Sequence, residues 1–387
     1  MTGSAGGFAF ETAPRIVCED GAARTLGELA RGRGVTRALV VTDRGLLGTG
    51  ALAPALAGFG AAGVDHVVFA DVEPDPPEAC VEAAVAAARS ARCDGVVGLG
   101  GGSSLDTAKL AALLARSGEG LGDVYGVGRA RGPRLPLVQA PTTAGTGSEV
   151  TPIAIVTTPS GEKTGVVSPH LLPDAAVLDA TLTLGLPPRA TAMTGVDAMV
   201  HAVEAYTSRH RKNVLSDALA VRALGLLAGH LRRAVADGGD LGARRAMLVG
   251  AALAGMAFAN APVAAVHALA YPLGGRFHVP HGLSNALVLL PVLEFNLPAA
   301  GALYGELLGA LPADVVAGGG DPGRRFVDAL GRLVAGLPME RRLADVGVRE
   351  ADLPRLARDA MRVERLLVNN PRPVAYDDAL AIYRAAL

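Results

Sequence analysis

The stretch "DGVVGLGGGSSLDTAK" spans residues 94–109. It begins as a continuous apolar run, stops at three glycines, and continues as a segment with helical spacing. An apolar run without polar alternation is typical of a strand that is covered on both faces. A strand that passes through a glycine turn straight into a helix is the repeating unit of a parallel α/β sheet. The stretch therefore predicts an α/β domain.

The flanking sequence repeats this alternation. We predict further strands at 37–43, 65–72, 135–143 and 152–158, and helices at 78–91 and 104–117. After about Pro187 the strand pattern stops and helical spacing continues to the end of the chain. The prolines of "LGLPPRA", residues 184–190, mark the change. We expect a Rossmann-like nucleotide-binding α/β domain over 1–186 and an all-α domain over 187–387.

Composition limits the classes of function. The chain has 387 residues, which favours two domains, and its net charge of −1 provides no electrostatic case for binding nucleic acid or an acidic membrane. Its three cysteines follow no metal or disulfide spacing, which is typical of a reducing cytoplasm. The first residues lack the pattern of an export signal, so we expect a cytoplasmic protein.

One uncharged stretch, between Arg245 and Arg276, is long enough to span a bilayer. Asn260, Pro262 and His267 interrupt it. We therefore predict two buried helices that are broken near Ala261–Pro262 and no membrane span.

The glycines of the turn indicate a phosphate site. Gly100, Gly101 and Gly102 let backbone amides approach an anion, the following helix contributes its N-terminus, and Ser103 or Ser104 can cap that helix. The pattern is neither a strict G-x-G-x-x-G, because Ser103 stands at the third glycine position, nor a Walker A loop. The alternative is a tight connection that binds nothing.

Two other polar groups follow predicted strands. Asp43 ends the first strand of the pattern, where a carboxylate can accept from ribose hydroxyls and repel a 2′-phosphate, or can merely cap a turn. Thr142, Thr143 and Thr146 belong to "PTTAGTGSEVT", residues 141–151. Ligands of open α/β sheets bind at the carboxyl ends of the strands, so these loops predict a dinucleotide site.

The helical half contains a candidate metal site. Asp197 and His201 are four residues apart in a helical stretch and share one face, either as metal ligands or as a hydrogen-bonded pair. His267 and His281 are separated by Pro272, Gly274, Gly275 and Pro280. Those residues allow a helix end, a loop and a return, so that both imidazoles face one point. One carboxylate and three imidazoles suit Fe²⁺ or Zn²⁺.

Together these motifs resemble the iron-containing (group III) alcohol dehydrogenases, a family of the dehydroquinate synthase-like superfamily, over nearly the whole chain. The resemblance is carried by "GGGSSLDTAK", "PTTAGTGSEVT", "DAMVHAVEAY", "VHALAYPLGG", "PHGLSNALVLLPVLEFN" and "NNPRP". It implies a dehydroquinate synthase-like fold, a homodimer, and an NAD(P)-dependent oxidoreductase that interconverts a small alcohol and its aldehyde or ketone across an interdomain cleft. We expect NAD rather than NADP as the dinucleotide. We expect iron as the bound metal, with zinc as the alternative.

The resemblance also assigns residues. It implies metal ligation by Asp197, His201, His267 and His281. It implies dinucleotide contacts from Asp43, Asp75, Gly101, Gly102, Ser103, Asp106, Thr142, Thr143, Thr146 and Lys163. Many members carry a further histidine where this chain has Tyr271. We expect Tyr271 to donate a proton or hydrogen bond there, with His278 as a second candidate relay.

Three other functions stay open at this point. A metal-free maleylacetate-type reductase would not need the Asp/His set. A dehydroquinate synthase-like lyase would need cationic residues beside it, for which Arg209, Arg211 and Lys212 are candidates. A nucleotide sensor or scaffold would bind NAD without turnover.

Overall fold

The computed structural model describes residues 7–387. Glu11–Leu186 form one compact unit, and Pro187–Leu387 form a second, with which the described residues 7–10 group. The first predicted domain begins at residue 1, and residues 1–6 lie outside the described part of the chain.

The first unit is built on two sheets. In chain order, the strands are β1 Ile16–Cys18, β2 Arg37–Val41, β3 Asp65–Phe69, β4 Gly95–Gly100, β5 Gly126–Val127, β6 Leu137–Pro141, β7 Ile153–Thr157, β8 Lys163–Val167 and β9 Ala175–Leu178. Six of them pair in parallel in the order β1-β9-β6-β4-β2-β3. The predicted parallel sheet is confirmed, and four of the five predicted strands lie in it.

The fifth predicted strand, 152–158, forms but does not join that sheet. β7 belongs to a three-stranded sheet in the order β5-β8-β7 and runs antiparallel to β8. A tight turn causes this, because the Thr158 amide donates to the Glu162 carbonyl at 2.9 Å and Gly161 has a φ of 81°. A short turn can only return the chain antiparallel, whereas a parallel partner needs a long crossover.

Helices cover both faces of the large sheet, which explains its continuous apolar strands. The helices of this unit are α1 Leu26–Arg31, α2 Arg44–Gly48, α3 Ala53–Ala61, α4 Glu78–Ser90, α5 Gly102–Ser117 and α6 Leu121–Val124. In β2, Leu39 and Val41 pack into one apolar core, while Ala38 and Val40 pack into the core on the opposite face. A strand buried on both sides has no position for a polar residue.

The second unit is helical, as predicted. Its helices are α7 Pro188–Thr207, α8 Val214–Ala236, α9 Leu241–Asn260, α10 Ala265–Phe277, α11 His281–Leu307, α12 Pro322–Ala335, α13 Leu353–Met361, α14 Glu364–Leu367 and α15 Tyr376–Ala386. The predicted break near Ala261–Pro262 is confirmed between α9 and α10. By length and composition alone, α8, α9 and the stretch His281–Ala310 could each cross a membrane.

Candidate metal centre and cofactor pocket

Helix α7 presents a carboxylate and an imidazole on one buried face. Asp197 and His201 are 2% and 3% exposed in an otherwise apolar part of the helix. Asp197 Oδ1 and His201 Nε2 are 3.9 Å apart. That distance is too long for a hydrogen bond, so the alternative of a simple hydrogen-bonded pair does not describe this geometry.

His267 and His281 reach the same place from two other helices. His267 lies in the first turn of α10 and His281 begins α11. The chain turns at 278–280, where His278 caps α10 with a φ of 53°. Pro272 and the glycines at 274 and 275 lie inside α10, so the prediction that these residues break the chain is wrong, although the predicted return occurs.

A glycine brings α11 close to α7. A Cβ atom on Gly282 would lie 2.5 Å from the Met193 carbonyl oxygen and 3.4 Å from the Asp197 Cβ. Only a residue without a side chain permits this approach of two helix backbones. Gly282 therefore sets the position of the neighbouring His281 relative to Asp197.

The four side chains form one group, which we call the Asp–His cluster: Asp197, His201, His267 and His281. One potential ligand atom from each residue lies within 4.8 Å of all the others. His201 Nε2 and His267 Nε2 are 3.0 Å apart, and Asp197 Oδ1 lies 3.7 Å from His281 Nε2. Ligands bonded to one ion at about 2.1 Å stand about 3.0–3.4 Å from each other. The spacing and the donor types fit a single divalent cation.

Two residues that the sequence analysis missed orient the cluster. Glu204 Oε2 lies 2.6 Å from His267 Nδ1, and Glu204 Oε1 accepts from the Val266 amide at 2.7 Å. With its Nδ1–H donating to the carboxylate, His267 turns the lone pair of Nε2 toward the cluster. Asn285 Nδ2 donates to Asp197 Oδ1 at 2.6 Å. The sequence contains a signal for Glu204, because this residue follows Asp197 by seven positions and so lies on the same face of an apolar helix.

The electrostatics of the cluster favour an ionised carboxylate. Burial alone would raise the pKa of Asp197, but the three imidazoles and the Asn285 amide outweigh it, and the pKa lies below its usual value. His281 is 27% exposed in its side chain, whereas the other three side chains are at most 4% exposed. The side of His281 is therefore the open side of the cluster.

The two predicted proton donors occupy different positions. The Tyr271 ring centroid lies 6.2 Å from that of His281, and the phenol is partly buried. The structure brings Tyr271 to the open side of the cluster. His278 is exposed at the cap of α10, and its role as a relay stays a prediction.

The predicted cofactor residues around the glycine turn line a pocket of about 610 Å³ within the first unit. Its lining includes Asp43, Arg44, Asp71, Glu73, Gly101, Gly102, Ser103 and Ser104. Gly101 caps the N-terminus of α5, and a Cβ on Gly102 would lie 2.7 Å from the Thr146 Cγ2. Asp43 Oδ1 accepts from the Leu46 amide at 2.8 Å, so this carboxylate caps α2 while it faces the pocket.

Asp75 and Lys163 meet beside the same turn. Asp75 has a φ of 51°, a left-handed conformation that is unusual for a residue with a side chain. Lys163 Nζ donates to Asp75 Oδ1 at 2.6 Å, and the Asp75 amide donates to Ser103 Oγ at 3.2 Å. The structure thus joins these predicted contacts to the glycine turn.

The threonine loop runs next to the glycine turn. The Thr142 amide donates to the Gly100 carbonyl at 2.9 Å, and a Cβ on Gly101 would lie 3.6 Å from Thr143 Cγ2. Thr146 lies against Gly102. All three predicted threonines therefore follow β6 and lie beside the glycine turn.

Asp106, whose predicted contact with the cofactor stays a prediction, accepts two hydrogen bonds from the protein. Its Oδ1 accepts from Ser148 Oγ at 2.6 Å and its Oδ2 from the Ile155 amide at 2.9 Å. Both oxygens therefore bind protein groups, Oδ1 joining α5 to the threonine loop and Oδ2 joining it to β7. The fully buried Lys109 lies 3.8 Å away, and burial lowers its pKa to about 8, while burial raises the pKa of Glu149 to about 7.

Comparison with known proteins finds the same family over both units. The family model "Iron-containing alcohol dehydrogenase" matches residues 13–180, and the model of its C-terminal domain, "Fe-containing alcohol dehydrogenase family, C-terminal", matches residues 191–387. Long-chain-alcohol dehydrogenase 1 of Geobacillus thermodenitrificans is 41% identical over 91% of this chain and 90% of its own length.

Solved structures agree. A crystal structure of 1,3-propanediol oxidoreductase has a TM-score of 0.94 at 35% identity, and the match covers 99% of this chain and 100% of that one. Sulfoacetaldehyde reductase from Bifidobacterium kashiwanohense, solved in complex with NAD⁺, has a TM-score of 0.88 at 28% identity and covers 98% of this chain and 99% of its own.

Proposed function

The chain belongs to the iron-containing alcohol dehydrogenase family, and from that premise we propose that it interconverts a small alcohol and its aldehyde or ketone with NAD(H). The observation that carries the proposal is the Asp–His cluster, whose four ligand atoms lie within 4.8 Å of one another. We propose iron as the resident metal, with zinc equally suited to these ligand types.

The chain supplies the cluster's geometry and charge. When bound, the ion acts as a Lewis acid toward a substrate oxygen. Asp197 offsets part of the ion's charge, and Glu204 fixes the proton of His267 on Nδ1 so that Nε2 can ligate. Burial of Asp197, His201 and His267 excludes water from all but the open side. Tyr271 stands there to donate a hydrogen bond to the substrate.

The pocket in the first unit is proposed to hold the dinucleotide. The bound nicotinamide cofactor supplies the hydride chemistry. Amides at the N-terminus of α5 are placed to bind the pyrophosphate. Three carboxylates, those of Asp43, Asp71 and Glu73, line the pocket against a single arginine, Arg44. Their negative charge favours NAD over NADP, because a 2′-phosphate would be repelled.

The alternatives are less well supported. A maleylacetate-type reductase would have no use for four ligand atoms at metal spacing. For a dehydroquinate synthase-like lyase, Lys212 is a poor anion ligand because its Nζ already donates to Asp217 at 2.6 Å. The proposal also includes a homodimer, which the family resemblance supports, and a cytoplasmic location, which the small number of cysteines supports.

The test is an NADH-oxidation assay over a panel of short aldehydes with the metal-loaded protein. We expect NADH to be oxidised with at least one short aldehyde, and Asp197→Ala to abolish that turnover. Glu294→Gln is the control, since Glu294 is a half-exposed residue paired with Arg324. Tight NAD binding without oxidation by any aldehyde would instead support a nucleotide sensor.

A further inference from the structure

An arginine without a neutralising partner stands beside the Asp–His cluster. Arg365, on α14, is exposed, and its Nη2 donates to Tyr271 Oη at 3.3 Å. The guanidinium carbon lies 5.9 Å from the Tyr271 ring centroid. Within residues 7–387, no carboxylate lies at ion-pair distance from the Arg365 guanidinium.

The nearby arginines differ in this respect. Arg276 Nε donates to Asp359 at 2.5 Å, and Arg362 Nη1 lies 3.7 Å from the same carboxylate. Asp359 is therefore already shared by two other arginines. Arg365 keeps its full charge, and Tyr271 is the group that holds its guanidinium in place.

The position of this charge relates it to the substrate. Tyr271 lies one helical turn after His267, and its ring is 6.2 Å from that of His281. His281 marks the open side of the cluster, the side from which a substrate oxygen must enter. Arg365 contacts Tyr271, so one side chain separates its guanidinium from the open side of the cluster.

We propose that Arg365, positioned by Tyr271, determines specificity by binding an anionic group at the end of the substrate opposite the carbonyl. Carboxylate, sulfonate and phosphonate share the required chemistry, since a guanidinium donates two parallel hydrogen bonds to such oxygens. The inference rests on the proposed function and narrows its substrate class from small aldehydes to aldehydes with an anionic tail.

The test compares two aldehydes with the same four-carbon chain, succinic semialdehyde with a carboxylate and butanal without one. In the metal-loaded wild type we expect a higher kcat/KM for succinic semialdehyde. Arg365→Ala should lower that value about tenfold to a hundredfold, mainly through KM, since a hydrogen bond to a charged group is lost. The kcat/KM of Arg365→Ala for butanal should stay within about twofold of the wild-type value. This result would also show that the variant is folded.

Arg358 is an exposed arginine on α13, and Arg358→Ala is the matched control. It should leave kcat/KM unchanged for both aldehydes. Added salt should reduce the advantage of succinic semialdehyde in the wild type. A wild type that prefers butanal, or an Arg365→Ala variant that lowers both rates equally, would overturn the inference alone. No NADH oxidation with either aldehyde would overturn the inference, and the proposed function falls with it only if the whole aldehyde panel is also inactive.

Discussion

Replacing Glu204 by glutamine should weaken metal binding although Glu204 is not itself a ligand. The carboxylate accepts two hydrogen bonds, from His267 Nδ1 at 2.6 Å and from the Val266 amide at 2.7 Å. Glutamine has one acceptor oxygen, so its amide NH₂ must face one of these two donors. If it faces His267, the imidazole proton must move from Nδ1 to Nε2, and a protonated Nε2 cannot ligate a cation.

The expected size follows from that geometry. Losing a partner that orients a metal-bound histidine lowers metal affinity about tenfold to a hundredfold. This corresponds to about 1.4–2.7 kcal/mol of binding free energy. Glu204 is 4% exposed, so water cannot replace the missing acceptor. The loss should appear as faster and more complete removal of the metal by a chelator.

The assay is competition with a coloured chelator at fixed pH, which yields the dissociation constant of the metal for each variant. Glu294→Gln makes the same change of charge at a half-exposed position on α11 and should bind metal as the wild type does. Equal metal retention by folded Glu204→Gln and folded Glu294→Gln would show that Glu204 does not support the ligand His267.

Three further predictions concern other parts of the molecule. Gly282→Ala should lower metal affinity by displacing α11, because its Cβ would meet the Met193 carbonyl at 2.5 Å, and chelator competition would show unchanged affinity if the close approach is unimportant. Asp43→Gly should reduce the KM for NADPH at least about tenfold relative to that for NADH, because repulsion of the 2′-phosphate is removed; an unchanged ratio in steady-state kinetics would contradict this. The pKa of Glu149 is raised to about 7 by burial, so the folded state holds this proton more tightly than the unfolded state and loses stability as the pH rises from about 4.5 through 7. Glu149→Gln should therefore raise the thermal midpoint by several degrees more at pH 8 than at pH 5, and equal shifts at both pH values would be incompatible with this burial effect.

The sequence was sufficient for the parts of the fold that local pattern determines. The run through Gly95–Gly100 and the glycines after it predicted a buried strand and a helix start, and β4 and α5 lie there. The partner of β7 was not predictable from periodicity, because the pattern of one strand does not specify its neighbour. β1, β5, β8 and β9 were missed. The runs of β1, β5 and β9 have only two to four residues and are too short to show a period.

The candidate site shows the same division. Helical spacing predicted that Asp197 and His201 share one face, and the residues between His267 and His281 predicted a return of the chain that the structure shows at 278–280. The tight approach at Gly282 depends on contact between distant segments, which no local pattern reports. The resemblance predicts Asp106 at the cofactor, but its hydrogen bonds from Ser148 and Ile155 were not predictable from the motif. Motif membership does not determine where a side chain points.

The most direct test of the account is the metal content per chain, measured by elemental analysis, against the rate of aldehyde reduction as a chelator is titrated. We expect one equivalent of iron or zinc per chain in the wild type, a rate that falls in proportion to the metal removed, and no stoichiometric metal in His267→Ala. A metal-free chain that reduces aldehydes at the full rate would contradict it.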